Sequence, residues 1–229
     1  MNEIFQTDTG SANDGVKAIS MSIGKKRHEQ QDAVAFGHGY LVVADGMGGH
    51  PDGADASLNA VKGAVSVLDR ESADPSHAFC CEVAEAAEEA VDEMHKRKRY
   101  GMSPWNWPAT TLVFAIALES GGAVVANLGD SRAYVLEGSV LRQVTVDHEN
   151  WDGSVTRAIG FGHETPDTFA VSRGRLLLAT DGLWLELDHD RITGFMMSPD
   201  SDEVVADRRV RVAADAGGRD NVSVGVWSL

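Results

Sequence analysis

Cysteine is scarce in this sequence and confined to one dipeptide, Cys80-Cys81. Two adjacent cysteines in a helical stretch cannot close an ordinary disulfide and offer no metal-ligand spacing, which excludes a disulfide framework. Long hydrophobic runs are missing too. The longest, residues 112–118, is too short to cross a bilayer, and no basic-then-apolar leader opens the sequence, so a soluble, cytoplasmic chain is expected. Basic residues are few, 20 against 35 acidic ones, for a formal charge of −15. A field of that sign repels nucleic acid phosphates and anionic membranes, so neither is expected as a partner. Acidity of this degree arises from a solvated surface or from carboxylates gathered around cations, and composition does not separate the two.

What is present suffices for one sizeable core. A chain of 229 residues, 43% of them hydrophobic, can bury roughly 70% of the surface its unfolded form exposes. A single domain over 1–229 is expected, with 1–14 a loosely ordered N-terminus. Residues 16–23, 33–36 and 40–44 read as strands, the last ending at Asp45. Apolar residues then recur at helical spacing over 53–68 and 76–99, with Phe79, Val83, Ala87, Ala90 and Met94 on one face of the second helix. The basic run Lys96-Arg97-Lys98-Arg99 closes that helix after several acidic residues and reads as macrodipole pairing. Trp105 and Trp107, in a turn-rich linker, read as cover for a core edge. Four strands follow at 110–118, 122–128, 132–136 and 140–145, as an antiparallel meander. A buried strand at 176–180, a helix at 204–216 and a closing strand at 221–227 complete the chain.

The aspartates recur at strand ends. Asp32 begins one strand, Asp45 and Asp181 each follow an apolar strand and precede glycine, and Asp220 precedes the last. Carboxylates at the ends of strands in a common sheet can converge on one rim, where hard oxygen ligands suit manganese or magnesium. Glycine after the aspartate permits a close backbone approach. Two cations a few ångströms apart lower the pKa of a water and clamp a phosphate oxygen, which points to phosphate ester hydrolysis. Taken singly, Asp-Gly is a common turn and aspartate a common helix cap.

The strings around these aspartates are more specific. In order they are Arg27-His-Glu-Gln-Gln-Asp32, Asp45-Gly-Met-Gly-Gly-His50, Thr110-Thr111, Gly129-Asp-Ser-Arg132, Asp147-His148, Thr156-Arg-Ala-Ile-Gly160, Thr180-Asp-Gly-Leu-Trp184 and Gly217-Gly-Arg-Asp-Asn221. Through this ordered series the chain resembles the metal-dependent Ser/Thr protein phosphatase family, the type-2C class, in its bacterial form. The resemblance implies an α+β four-layer sandwich, two stacked, mostly antiparallel β-sheets with helices on both outer faces and the site at one end between the sheets. It implies two divalent cations, manganese or magnesium, bridged by the Asp45 carboxylate and joined by the Gly46 carbonyl. Asp181 and Asp220 hold one ion, Asp32 serves the other, and Asp130 with Asp181 matches a weaker third. Arg27 grips the substrate phosphate, a role that suits its planar fork. Asn221 orients Asp220 or caps its loop, and Thr110, Thr111, Thr156 and Arg157 are framework. The implied partners are phosphorylated proteins and a cognate Ser/Thr kinase, with the chain acting as a monomer.

The chain departs from the family pattern at several positions. Met47 stands where animal relatives carry a proposed general acid, which leaves a metal-bound water, His50 or His148 to protonate the leaving group; His50 is taken as the candidate. Gln30 stands for asparagine. The segment between His148 and Thr156 is too short for the usual flap, which opens the rim and loosens inference about substrate. Leu185 and Glu186 follow Trp184 where relatives have aspartate. Two other readings stay open: a phosphatase-like module that binds phosphorylated partners without turnover, and a phosphoesterase acting on phosphotyrosine or small phosphoesters.

Overall fold

The computed structural model describes residues 4–6, 17–47, 52–70, 75–98 and 107–229. Eleven strands and five helices lie within them: β1 (Ile4–Gln6), β2 (Lys17–Ser22), β3 (Asp32–Gly37), β4 (Tyr40–Asp45), α1 (Gly53–Leu68), α2 (His77–Lys98), β5 (Leu112–Ala117), β6 (Ala123–Leu128), β7 (Arg132–Glu137), β8 (Val140–Gln143), β9 (Asp167–Val171), β10 (Arg175–Ala179), α3 (Asp181–Trp184), α4 (His189–Met196), α5 (Asp202–Ala216) and β11 (Val222–Ser228). The strands form two sheets, ordered β1-β3-β4-β5-β6-β9 and β2-β11-β10-β7-β8. Every pairing between these strands is antiparallel except β1 with β3. The α+β sandwich implied by the resemblance is therefore the observed architecture.

Three apolar layers hold the four structural layers together. The strand segments Leu41–Ala44 and Leu176–Ala179 are wholly buried because each is covered on both faces, which is why they read as continuous apolar runs. Alternate residues divide between layers. Val34, Leu41, Val43, Leu176, Leu178 and Trp227 meet between the sheets. Ala35, Val42 and Ala44 face outward to α1 and α2, through Ala60, Ala64, Val83, Ala87 and Val91. On the other side Leu177, Val224 and Val226 pack against Leu183, Ile192, Val205 and Val210 of the C-terminal helices. Helices thus cover both outer faces.

Some elements depart from expectation. The four central strands are not one meander: β5 pairs with β6 in one sheet and β7 with β8 in the other. The chain changes sheets at Gly129-Asp130-Ser131, so consecutive strands here are not neighbours. Sequence periodicity shows which face of a strand is apolar but not which sheet receives it. The short or partly exposed elements β1, β9, α3 and α4 were likewise not expected. Of the 1–14 stretch, residues 1–3 and 7–14 lie outside the described residues. Trp107 stacks on buried His95, centroids 5.4 Å apart, whereas Trp105 lies outside them. Lys96 pairs with Glu93 at 2.6 Å; beyond it, the side chains of the basic run lie outside the described residues.

Candidate active site

The β3–β4 pair places Asp32 directly opposite Asp45. Both lie on the strand face that sends Val34 and Val43 into the inter-sheet core, so two carboxylates stand at the end of that core. Like charges opposed in a ladder repel, and this pair destabilises the fold unless positive charge is nearby. From the facing sheet, β10 ends at Ala179; the next residue, Thr180, donates its hydroxyl to Asp32 Oδ2 at 3.1 Å, and Asp181 begins α3. Asp130 lies in the turn where the chain changes sheets, and Asp220 in the loop before β11. A cleft of about 390 Å³ opens onto Arg27, Asp45, Asp130, Asp181 and Asp220, while Asp32 is buried beside Asp45.

Dense local hydrogen bonding holds these groups in place. The Asp45 N–H donates to Thr111 Oγ1 at 3.0 Å, and Thr110 Oγ1 donates to the Asp45 carbonyl at 2.8 Å. Thr110 and Thr111 thus satisfy the backbone around the central carboxylate. Gly46 donates its N–H to the Gln31 carbonyl at 3.0 Å, and a Cβ there would lie 2.2 Å from the Gly53 carbonyl oxygen. At Gly182 a Cβ would come within 1.9 Å of the Asn221 oxygen. Neighbouring backbone therefore demands glycine after both aspartates, whatever an ion requires. Asn221 ties two loops together. Its amide donates to the Ile23 and Glu29 carbonyls, each at 3.0 Å, and accepts from the Gln31 N–H at 2.8 Å. Its own N–H donates to the Asp220 carboxylate at 2.8 Å. The segment carrying Arg27 is thereby locked to Asp220, and Arg27 Nη2 meets Asp220 Oδ2 at 2.5 Å.

Electrostatically the rim is under-satisfied. Burial pushes Asp32 up to about 7, offset in part by the Thr180 hydroxyl. Burial, followed by the charges of Asp130, Asp220 and Asp32, raises Asp181 to about 7. Burial and then Asp32, Asp181, Asp130 and Asp220 hold Asp45 well above the carboxylate range. Asp130 rises to about 6, chiefly by burial, with Asp147 and Glu149 adding to it. Buried oxygens Oδ1 of Asp32 and Oδ1 of Asp181 have no hydrogen-bond partner. Orphaned acceptors and crowded carboxylates are the donor set that divalent cations satisfy. Among the described residues no three acidic, histidine or cysteine side chains are grouped tightly enough to hold a metal ion as they stand. Carboxylates spread along a cleft, with Asp32 Oδ1 and Asp181 Oδ1 unpartnered, fit manganese or magnesium, which complete their shells with several waters.

The cleft thus gathers Arg27, Asp45, Asp130, Asp181 and Asp220 with Asp32 alongside, while His50 lies outside the described residues. His148 is braced away from the reacting centre. Its Nδ1 accepts the Gly129 N–H at 3.0 Å, and its Nε2 lies 2.8 Å from Arg157 Nη1 and 3.0 Å from Asp167 Oδ2, so both ring nitrogens are engaged. Glu186 is committed to Arg219, at 2.8 Å. Ser154, Val155 and Phe161 also line the cleft. Sequence reasoning missed them because nothing in their residue types signals a site; only the shortness of the segment after His148 pointed to that wall.

Residues 24–209 match the protein phosphatase 2C family, and the chain belongs to it. Among individual relatives, it is 32% identical over 211 residues to the serine/threonine phosphatase stp of Listeria monocytogenes, covering 80% of this chain and 82% of that one. Among solved structures it resembles the PPM Ser-Thr phosphatase MsPP of Mycobacterium smegmatis, in complex with cacodylate, at 31% identity and TM-score 0.78, covering 93% of this chain and 98% of that chain. It also resembles the catalytic domain of the serine threonine protein phosphatase PstP in complex with two manganese ions, at 26% identity and TM-score 0.81, covering 93% and 97%.

Proposed function

We propose that this chain hydrolyses phosphoserine and phosphothreonine esters of proteins, with two divalent cations, manganese or magnesium, held by its aspartates. The observation that carries this reading is the convergence of Asp32, Asp45, Asp130, Asp181 and Asp220 from separate elements at one end of the sandwich, with buried carboxylate oxygens left unpartnered. Asp32, Asp45, Asp181 and Asp220, with the Gly46 carbonyl, would hold the two ions, and Asp130 with Asp181 would offer a weaker third position. When bound, the cations supply the Lewis acidity that activates water and draws charge off the phosphate ester.

The chain's own residues do the rest. Arg27, half-exposed at the cleft, uses one nitrogen on Asp220 and presents the remainder of its fork to phosphate oxygens. Among the described residues, no free hydroxyl or thiol nucleophile is offered at the cleft. Thr111 Oγ1 is engaged by Ser131 Oγ at 2.7 Å and by the Asp45 N–H, and Ser154 Oγ donates to Asp152 at 2.6 Å. Burial pushes the Cys80 thiol up to about 12, on a helix that does not line the cleft. These engagements support direct attack by water. With both ring nitrogens of His148 engaged, His50 is the proposed donor to the leaving serine or threonine oxygen.

Phosphate release from an aryl phosphate and a phosphothreonine peptide tests the reading, with manganese, with chelator, and with Asp45→Asn. Turnover is expected only with the cation and should fall about 10³-fold in the variant. Equal activity in Asp45→Asn, or turnover indifferent to chelation, would sink it. We further propose that the chain acts as a monomer in the cytoplasm, opposite a Ser/Thr kinase. The charge of −15 favours neither nucleic acid nor anionic membranes, and no helix among the described residues is long and apolar enough to cross a bilayer.

A further inference from the structure

One wall of the cleft is a short hairpin braced by its own hydrogen bonds. Glu149 bridges Val155, Asn150 N–H donates to the Ser154 carbonyl at 2.8 Å, and Gly153 N–H closes the turn on the Asn150 carbonyl at 3.0 Å. Gly153 has φ +81°, a left-handed value that glycine adopts without strain. Asp152 Oδ1 accepts both the N–H and the hydroxyl of Ser154. At the base, His148 N–H donates to the Gly129 carbonyl at 3.0 Å, fastening the hairpin to the turn that carries Asp130.

At the tip of this braced turn stands Trp151, 98% exposed. An indole held fully in water by a rigid turn is not core cover, since it touches no core, and an exposed large aromatic is a common interface anchor. Gly153, Ser154 and Val155 of the same hairpin line the cleft together with Phe161, itself 47% exposed, so the surface around Trp151 is continuous with the phosphate site. Glu149 and Asp152 flank Trp151 and have no basic partner among the described residues. An exposed indole on an acidic hairpin suits cations, and a guanidinium most of all, because it stacks on the indole and pairs with carboxylates.

We propose that Trp151, with Glu149 and Asp152, reads an arginine or lysine flanking the phosphorylated residue of the substrate, so that the enzyme prefers basic phosphopeptides. The proposal rests on the phosphatase reading above and deepens it. A substrate phosphate seated by Arg27 carries its neighbouring residues along the hairpin wall.

The test pairs two phosphothreonine peptides, one with arginines beside the phosphothreonine and one with glutamates there, and adds an aryl phosphate that has no flanking residues. With manganese, the unaltered protein should show a kcat/KM about tenfold higher for the arginine peptide, and Trp151→Ala should remove most of that preference. Trp151→Phe should retain most of it, and aryl phosphate turnover should stay within about twofold throughout, since Trp151 itself does not line the cleft. Undiminished discrimination in Trp151→Ala would overturn the proposal. If the aryl phosphate is not turned over at all, the phosphatase reading fails separately, and fluorescence polarisation of the labelled peptides decides this one. Binding of the arginine peptide weakened about fivefold by Trp151→Ala supports it, and equal binding overturns it. Conversion of a dimer to a monomer by Trp151→Ala, with peptide discrimination unchanged, would assign the surface to a second copy of this chain and overturn it as well.

Discussion

Two charged regions meet at the cleft, and they are built on opposite principles. The rim of Asp32, Asp45, Asp130 and Asp181 crowds like charges, with buried oxygens left unpartnered and carboxyls pushed up by burial. The brace beneath it pairs every charge. Arg132 holds Asp147 through Nε at 2.8 Å and Nη2 at 2.6 Å and stacks over Trp184 with its guanidinium 3.5 Å from the ring centroid. His148 and Arg157 both reach Asp167. A fold whose charges all served stability would resemble the brace throughout. The rim shows where stability is given up for ligand binding, because buried unpaired carboxylates are tolerated only if something else neutralises them.

Substitutions in the two regions should therefore change stability in opposite directions. The largest effect is expected from Arg132→Ala, which strands Asp147 and uncovers Trp184; unfolding should become easier by about 3 kcal/mol, as read by chemical denaturation. A loss within error would mean that the brace contributes nothing and the contrast is empty.

Next in size, Asp45→Asn in chelated protein should raise stability by about 1–2 kcal/mol, because an amide replaces a carboxyl that burial and its neighbours keep from ionising. A lower midpoint in chelator for the variant would show that the rim is not frustrated.

A pH series sharpens the same point. Asp32 and Asp181 keep their protons up to about 7 in the folded chain, whereas in the unfolded chain they lose them near the ordinary aspartate value of 3.8. Between those limits the folded state binds more protons than the unfolded one, so the stability of metal-free protein falls as pH rises through the window. Chelated protein should melt at a higher temperature at pH 5 than at pH 7.5, and manganese should narrow or reverse that gap by favouring the charged carboxylates. A higher melting temperature at pH 7.5 in chelator would contradict the assigned frustration. The smallest effect is expected at the exposed pair Lys96–Glu93, where Lys96→Ala should change stability by less than about 0.5 kcal/mol. A larger shift there would mean that surface pairs in this chain behave like the brace.

Part of this contrast is legible in the order of residues along the chain. Helix 53–68 and strand 40–44 follow from apolar period and length, since each is buried against a layer that imposes that period. The motifs group the right aspartates, but they do not separate rim from brace. Asp130 and Arg132 share one motif; Asp130 faces the cleft and Arg132 the brace, because Asp130 lies in the turn between sheets and Arg132 opens β7. His148 can be read from its residue type as a proton donor. Only the Gly129 N–H on one side and Asp167 on the other show it to be a strut. Trp151 gives no signal at all, because a tryptophan in a short segment reads the same whether it is covered or exposed.

By itself the sequence determined the family, the apolar layers and the carboxylate set, because all three are written in local order: periodicity, glycine after aspartate, motifs in series. Tertiary structure alone decided which sheet each central strand joins, that Asp32 stands opposite Asp45, and which charges find partners. Pairing register and burial are set by contacts between segments more than a hundred residues apart, such as Thr180 with Asp32 and Asn221 with Gln31. A carboxylate's protonation depends on those contacts rather than on its neighbours in the chain.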